Sequence, residues 1–193
     1  MINIHDSIEA HRLAIDHVEG MSDDILNVAS IIIDRLQNGG KVLWMGNGGS
    51  AADSQHMAAE LVGRYSRERK GLPSIALTTD SSILTSIGND YGFDAIFSRQ
   101  IEALCTAQDV VIGISTSGNS PNVLAAMEKA RELGAYAIGF SGRDGGKLSQ
   151  AVDHCFTIPV EETARIQEGH SLIGHLLCDL IEESASRDAD SAG

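Results

Sequence analysis

The order of apolar runs along this chain predicts an α/β fold: one domain with a five-stranded parallel sheet flanked by helices, preceded by N-terminal helices. Three observations carry that expectation. Short runs rich in valine and isoleucine alternate with longer stretches whose apolar residues recur at helical spacing. Glycine-rich or hydroxyl-rich turns stand between two of those runs and the helices that follow. The chain has 193 residues, which suits a single domain with a sizeable core.

Helical spacing runs over 4–18 and again over 25–36, with Gly20, Met21 and Ser22 between. Ser22 reads as an N-cap with Asp23 and Asp24 in the first turn, and Gly39 and Gly40 close the second helix. The first strand reads as 41–45, and a helix opens at Ser50 and runs to about Val62. Further strands are expected at 74–78, 110–114, 136–140 and 155–159, with helices at 81–86, 94–104, 121–133 and 145–149. A last helix spans about 164–184. The domain is taken as 1–185 and the small, polar segment 186–193 as a flexible tail. Strands joined by helices imply right-handed crossovers and a sheet covered on both faces, with ligands beyond the carboxyl ends of the strands.

Composition narrows the function. Net charge is −13, from 14 basic and 27 acidic residues. A field of that sign disfavours nucleic acid and anionic membrane as partners. Any phosphate site must then be built locally from backbone N–H groups, hydroxyls and a few placed cations. No apolar run is long enough to span a bilayer. The first residues lack a basic stretch followed by an apolar one, so a cytoplasmic protein is expected. The three cysteines, Cys105, Cys155 and Cys178, form no CxxC pair and read as small packed hydrophobes.

Two loops follow strands and open helices. Gly46, Asn47, Gly48, Gly49 and Ser50 form one, although glycine turns at that position are common structural devices. The other is 115–121, where Ser115, Thr116, Ser117 and Ser120 offer four hydroxyls ahead of Pro121. Proline suits the first helical position and Ser120 the N-cap. Four hydroxyls exceed what capping needs, and a helix start presents free N–H groups and a positive dipole end, so a phosphate site is expected there. Neither loop is a Walker motif or a complete dinucleotide fingerprint.

Residues suited to acid–base work lie on two helices. His56 and Glu60, at i and i+4, share one face with Cβ atoms about 5–6 Å apart. Gln167 and His175 lie loosely on one side of the last helix, with Glu168 and His170 between them. His56, Glu60, Gln167 and His175 together could hold a divalent metal, zinc being suited to imidazole and carboxylate. The same spacing also occurs in plain surface pairs, and His170 reads as a packed histidine. Nothing local brings the two helices together.

In their order along the chain, the segments 46–60, 87–93, 114–120 and 165–175 closely resemble the phosphoheptose isomerases, a family built on the sugar isomerase (SIS) domain. The resemblance covers nearly the whole chain. It implies a homotetramer with active sites at subunit interfaces and one zinc ion per subunit held by His56, Glu60, Gln167 and His175. The implied reaction converts D-sedoheptulose 7-phosphate to D-glycero-D-manno-heptose 7-phosphate through an enediol, the first step towards the nucleotide-linked heptose of bacterial surface glycans such as lipopolysaccharide. Glu60 would carry the carbon-bound proton and His175 the oxygen protons. Ser50, Ser115, Thr116, Ser117 and Ser120 would hold the phosphate. Asn47, Gly48, Gly49, Asp53, Arg64, Asn89, Asp90 and Gln167 would also line the substrate site. Some relatives carry an acidic residue where this chain has Ala164. The rival reading is a DiaA-like SIS protein that binds the replication initiator; it shares the hydroxyl loop and the 164–168 segment but lacks counterparts of Glu60 and His175.

Overall fold

The computed structural model describes residues 3–191. It is an α/β structure: helices α1 (Ile4–Glu19) and α2 (Ser22–Gln37) precede β1 (Val42–Gly46), α3 (Gly49–Val62), β2 (Ser74–Ala76), α4 (Ser81–Asp90) and α5 (Ser98–Leu104). Then come β3 (Val110–Ser115), α6 (Pro121–Glu132), β4 (Tyr136–Gly142), α7 (Leu148–Ala151), β5 (His154–Ile158) and α8 (Thr163–Ser191). All five strands are parallel, in the order β2-β1-β3-β4-β5.

Alternation along each strand divides the core into two layers. Val42 and Trp44 of β1, Val110 and Ile112 of β3, and Ile138 and Phe140 of β4 face the layer closed by α1, α2, α3 and α8. Leu43, Met45, Val111 and Ala137 face the layer closed by α5, α6 and α7. The tryptophan sits edge-on to Phe140 at 6.5 Å, and its indole N–H is satisfied by the Ser74 hydroxyl at 3.0 Å. On the second face Gly113 lets α6 approach: a Cβ there would lie 2.8 Å from both Met127 Sδ and Val123 Cγ1.

Several boundaries differ from the sequence reading for local reasons. Ser22 is the first residue of α2 rather than its cap; the N-cap is Met21, and the Ser22 hydroxyl donates to the Glu19 carbonyl at 2.6 Å. Strand β2 stops at Ala76, where the chain enters a turn at Leu77 and Thr78. The expected 94–104 helix is a 3-10 turn (Phe93–Ala95) followed by α5, with Ile96 and Phe97 buried between. Gly145 and Gly146 both take positive φ, which delays α7 to Leu148. At the other end, α8 continues through most of the segment read as a tail, as far as Ser191, while residues 192–193 lie outside the described residues. Each residue that extends an established helix adds a backbone hydrogen bond, and the Arg187–Glu183 ion pair supports the added turns. Among the described residues no helix is long and apolar enough to cross a membrane.

Candidate active site

The strand order reverses between β1 and β3: β1 leads through α3 to one neighbour, β2, and β3 leads through α6 to the other, β4. A crevice opens at the carboxyl ends of two strands that diverge in this way. Both loops singled out in the sequence lie there, and a pair of amides joins them. Asn47 and Asn122 exchange two side-chain hydrogen bonds, each 2.9 Å. Asn122 is buried, and no motif in the sequence marks it.

The hydroxyl loop is organised around Ser115. Its Oγ lies 2.9 Å from Ser120 Oγ and 3.4 Å from Ser117 Oγ, and the Ser120 N–H points at it from 3.3 Å. Ser120 occupies the N-cap position of α6 as expected, yet its hydroxyl makes no capping bond. It turns back to Ser115 instead, so its side chain caps none of the first N–H groups of α6. Pro121 has no N–H and the Val123 N–H is taken by Asn122 Oδ1 at 3.0 Å, so the helix start offers an anion the Asn122 N–H with the dipole behind it.

Helices α3 and α8 run alongside one another and meet at matched heights. Any Cβ on Gly49 would fall 2.4 Å from the Gln167 amide nitrogen, and the Ser171 hydroxyl donates to Asp53 Oδ1 at 3.1 Å. Burial raises the Asp53 carboxyl above its usual range, against the lowering effect of Ser171 and the two nearby histidines. Further along, His56 Nε2 lies 2.9 Å from Glu60 Oε1, and the His56 and His175 rings meet at 4.9 Å. Ligand atoms of His56, Glu60 and His175 all fall within 4.8 Å of one another. The tertiary packing of a single chain thus unites two helices that local sequence could not connect.

Gln167 is two turns back on α8, about 12 Å by helical rise, against Gly49. It stands beside the glycine loop and apart from the histidines. Between these two levels a cleft of about 740 Å³ is lined by Asp53, Gln167, Ser171 and His175 and bounded by His11 and Ile15 of α1. Ala164 also lines it. Across its rim His11 Nδ1 approaches Glu168 Oε2 at 2.7 Å, and Arg165 holds the other Glu168 oxygen at 2.7 Å.

The remaining sequence-predicted residues are less closely joined. Ser50 is buried under Gly46, where a Cβ would meet it at 2.7 Å. Arg64 is exposed, 3.9 Å from Glu68. Asn89 donates to its neighbour Asp90 at 2.8 Å, both exposed at the end of α4. His170 is a core histidine: its Nε2–H donates to the Ser141 carbonyl at 2.8 Å. Burial pushes its pKa down to about 4 despite that bond. Two residues that no motif marks stand at the site. Tyr65 stacks on His175 with ring centroids 5.6 Å apart, and Glu182 is the buried carboxylate that holds the Tyr65 backbone. The one local signal for Glu182 is its place two turns after His175 on the same helix.

Comparison with known proteins agrees with this architecture. The SIS domain matches residues 8–142. The chain is 57% identical to the phosphoheptose isomerase of Aquifex aeolicus over 175 residues, covering 91% of this chain and 92% of that one. Among solved structures it superposes on phosphoheptose isomerase GmhA from Neisseria gonorrhoeae with a TM-score of 0.86 and 44% identity, covering 93% and 96% of the two chains. On a phosphoheptose isomerase from Francisella tularensis the TM-score is 0.88 at 37% identity, covering 94% and 100%.

Proposed function

The chain belongs to the phosphoheptose isomerases of the SIS-domain family, and from that membership we propose how its residues convert D-sedoheptulose 7-phosphate to D-glycero-D-manno-heptose 7-phosphate. The observation that carries the reading is the meeting of His56 and Glu60 with His175, which itself lines a cleft that reaches Gly49 of the glycine loop.

In our reading the phosphate is held by Ser50, Ser115, Thr116, Ser117 and Ser120 and by the Asn122 N–H at the start of α6. Such donors bind a dianion without a net positive field, as a chain of charge −13 requires. Asn47, Gly48 and Gly49 form the opposite wall, with Asp53, Arg64, Asn89, Asp90 and Gln167 towards the sugar. The ketose carries its carbonyl at C2. Glu60 takes a proton from C1, the C1–C2 enediol forms, and Glu60 returns the proton to C2. His175 moves the matching proton between the two oxygens, so that the carbonyl ends on C1. Both residues begin and end in the same protonation state.

Two imidazoles and a carboxylate suit zinc, and the donor set fits that ion. We assign one zinc per subunit to His56, Glu60 and His175, with Gln167 as the fourth ligand. The Gln167 amide must come forward from Gly49 or be supplied by a neighbouring subunit. When bound, the ion would polarise the sugar oxygens and stabilise negative charge on the enediol. We further propose a cytoplasmic homotetramer with the active sites at subunit interfaces; Ile4, Ile8 and Leu13 on α1 are exposed apolar residues that subunit contact would cover.

The test is turnover. Purified protein incubated with D-sedoheptulose 7-phosphate and followed by NMR should form the aldose, and a Glu60→Gln variant should lose nearly all activity while still folding. Turnover that survives in the variant would remove Glu60 as the base. No turnover by folded, metal-replete wild type would remove the reaction and bring forward the reading as a protein that binds the replication initiator.

A further inference from the structure

The segment 63–72, between α3 and β2, has no helix or strand, yet one buried carboxylate grips it. Glu182 of α8 accepts the backbone N–H groups of Tyr65 at 2.8 Å, Ser66 at 2.6 Å and Arg67 at 2.8 Å, and the Ser66 hydroxyl at 3.1 Å. Arg69 Nε lies 3.2 Å from Oε1, the oxygen that accepts the Tyr65 N–H, and both side chains are buried. The Arg69 guanidinium in turn donates to the carbonyls of Glu60, Leu61 and Gly63, which lie where α3 ends. Segment, α3 and α8 are therefore locked together just beyond the His/Glu/His group.

A buried ion pair is an expensive way to close a loop, and apolar packing often serves stability as well or better. The arrangement does give a fixed backbone position at residue 65. From there the Tyr65 ring stacks on the His175 imidazole, 5.6 Å between centroids and 30° between planes. His56 meets the same imidazole at 77°. A histidine ring turns within a broad torsional well, so its plane is set by what packs against it. Here Tyr65 covers a face and His56 stands nearly perpendicular to it.

We propose that Glu182 is a positioning residue for the isomerisation, holding Tyr65 so that its ring fixes the plane of His175. Glu182 touches no substrate; it acts through the Tyr65 backbone and ring. The inference rests on the reading of His175 as ligand and proton carrier.

Three variants of the full chain test it: Tyr65→Phe keeps the ring, Tyr65→Leu removes it, and Glu182→Gln weakens the grip. Tyr65 is 37% exposed, so the leucine variant keeps the test alive even if Glu182→Gln fails to fold. The first readout is the NMR signal of the His175 ring protons, assigned with His175→Gln. In the wild type it should be displaced by the stacked ring, and the phenylalanine variant should match. The leucine and glutamine variants should both lose that displacement. The second readout is turnover: kcat should fall about tenfold in those two variants with KM nearly unchanged, as expected for a misplaced catalytic group, and Tyr65→Phe should restore it. Wild-type kcat in Tyr65→Leu would overturn the proposal, as would an unmoved His175 signal or a loss in Tyr65→Phe as large as in Tyr65→Leu. If the wild type turns over without any metal, the zinc assignment falls; the positioning role is still judged by the same signals and rates.

Discussion

Asn47 and Asn122 exchange two amide hydrogen bonds across the point where the strand order reverses, tying the glycine loop after β1 to the start of α6. Each asparagine satisfies the other, and the two walls of the crevice are joined through this pair.

Replacing Asn122 with alanine strands the Asn47 amide and frees the two loops from each other. Asn47 is only half-buried and water can take the place of its partner, so the loss should be that of ordinary hydrogen bonds, on the order of 1 kcal/mol. Thermal unfolding should show that loss. On the proposed phosphate site, KM for the sugar phosphate should rise more than kcat falls, because the pair joins the two loops assigned to the phosphate. An unchanged KM would separate the amide pair from substrate binding.

The three clustered hydroxyls make a second prediction. Ser115 Oγ lies only 2.9 Å from Ser120 Oγ, and the pair stands at the N-cap of α6. Ser120→Ala removes one donor without taking a capping bond from the helix, since Ser120 makes none. A hydrogen bond to a charged group is worth about 1.5–3 kcal/mol, which is at least a tenfold change in affinity. Inorganic phosphate, assayed as a competitive inhibitor, should weaken by that order while the melting temperature stays near wild type.

On the zinc assignment proposed above, removing the metal should abolish turnover and leave the fold intact. The His/Glu/His group lies on helices already joined by packing, with Ile173 and Leu177 of α8 and Met57 and Leu61 of α3 buried in one core. A chelator should therefore silence the enzyme with little change in circular dichroism, and zinc should restore it. On the same assignment His56→Ala should lower zinc affinity by more than the roughly tenfold that loss of an outer-shell partner costs. Full activity in demetallated protein would exclude the metal assignment.

Acid should destabilise the protein in two separate windows. Buried His170 has its pKa pushed down to about 4, below the ordinary value near 6.5. The unfolded chain then binds a proton that the folded chain refuses, so stability falls as pH drops from about 6.5 towards 4. Glu182 follows lower down. Burial alone would raise its carboxyl, but the N–H groups of Ser66, Arg67 and Tyr65 hold it at about 2. Its contribution is complete above the ordinary glutamate value and is lost as pH falls towards 2. Chemical denaturation at a series of pH values should show the first slope in the wild type and a flatter one in His170→Gln.

The amino-acid sequence by itself determined the alternation of strands and helices, the five-stranded parallel sheet and the hydroxyl loop before Pro121. It also placed His56 and Glu60 on one helical face. Each of these is written in local spacing: period two along a strand, i and i+4 along a helix, proline at a helix start. Helix ends were less legible. Whether α8 stops at Ser184 or Ser191 depends on side-chain pairs and propagation, and the late start of α7 depends on the backbone angles of two glycines.

Tertiary structure decided which distant residues meet. His175 joins His56 and Glu60, Gln167 is drawn to Gly49, and Asn122 finds Asn47 only because α3, α6 and α8 pack on a sheet whose order reverses at β1 and β3. Glu182 and Tyr65 were invisible for the same reason. Nothing at either position marks a site, and their roles arise from contacts between residues 117 positions apart and between a loop and a helix that share no sequence pattern.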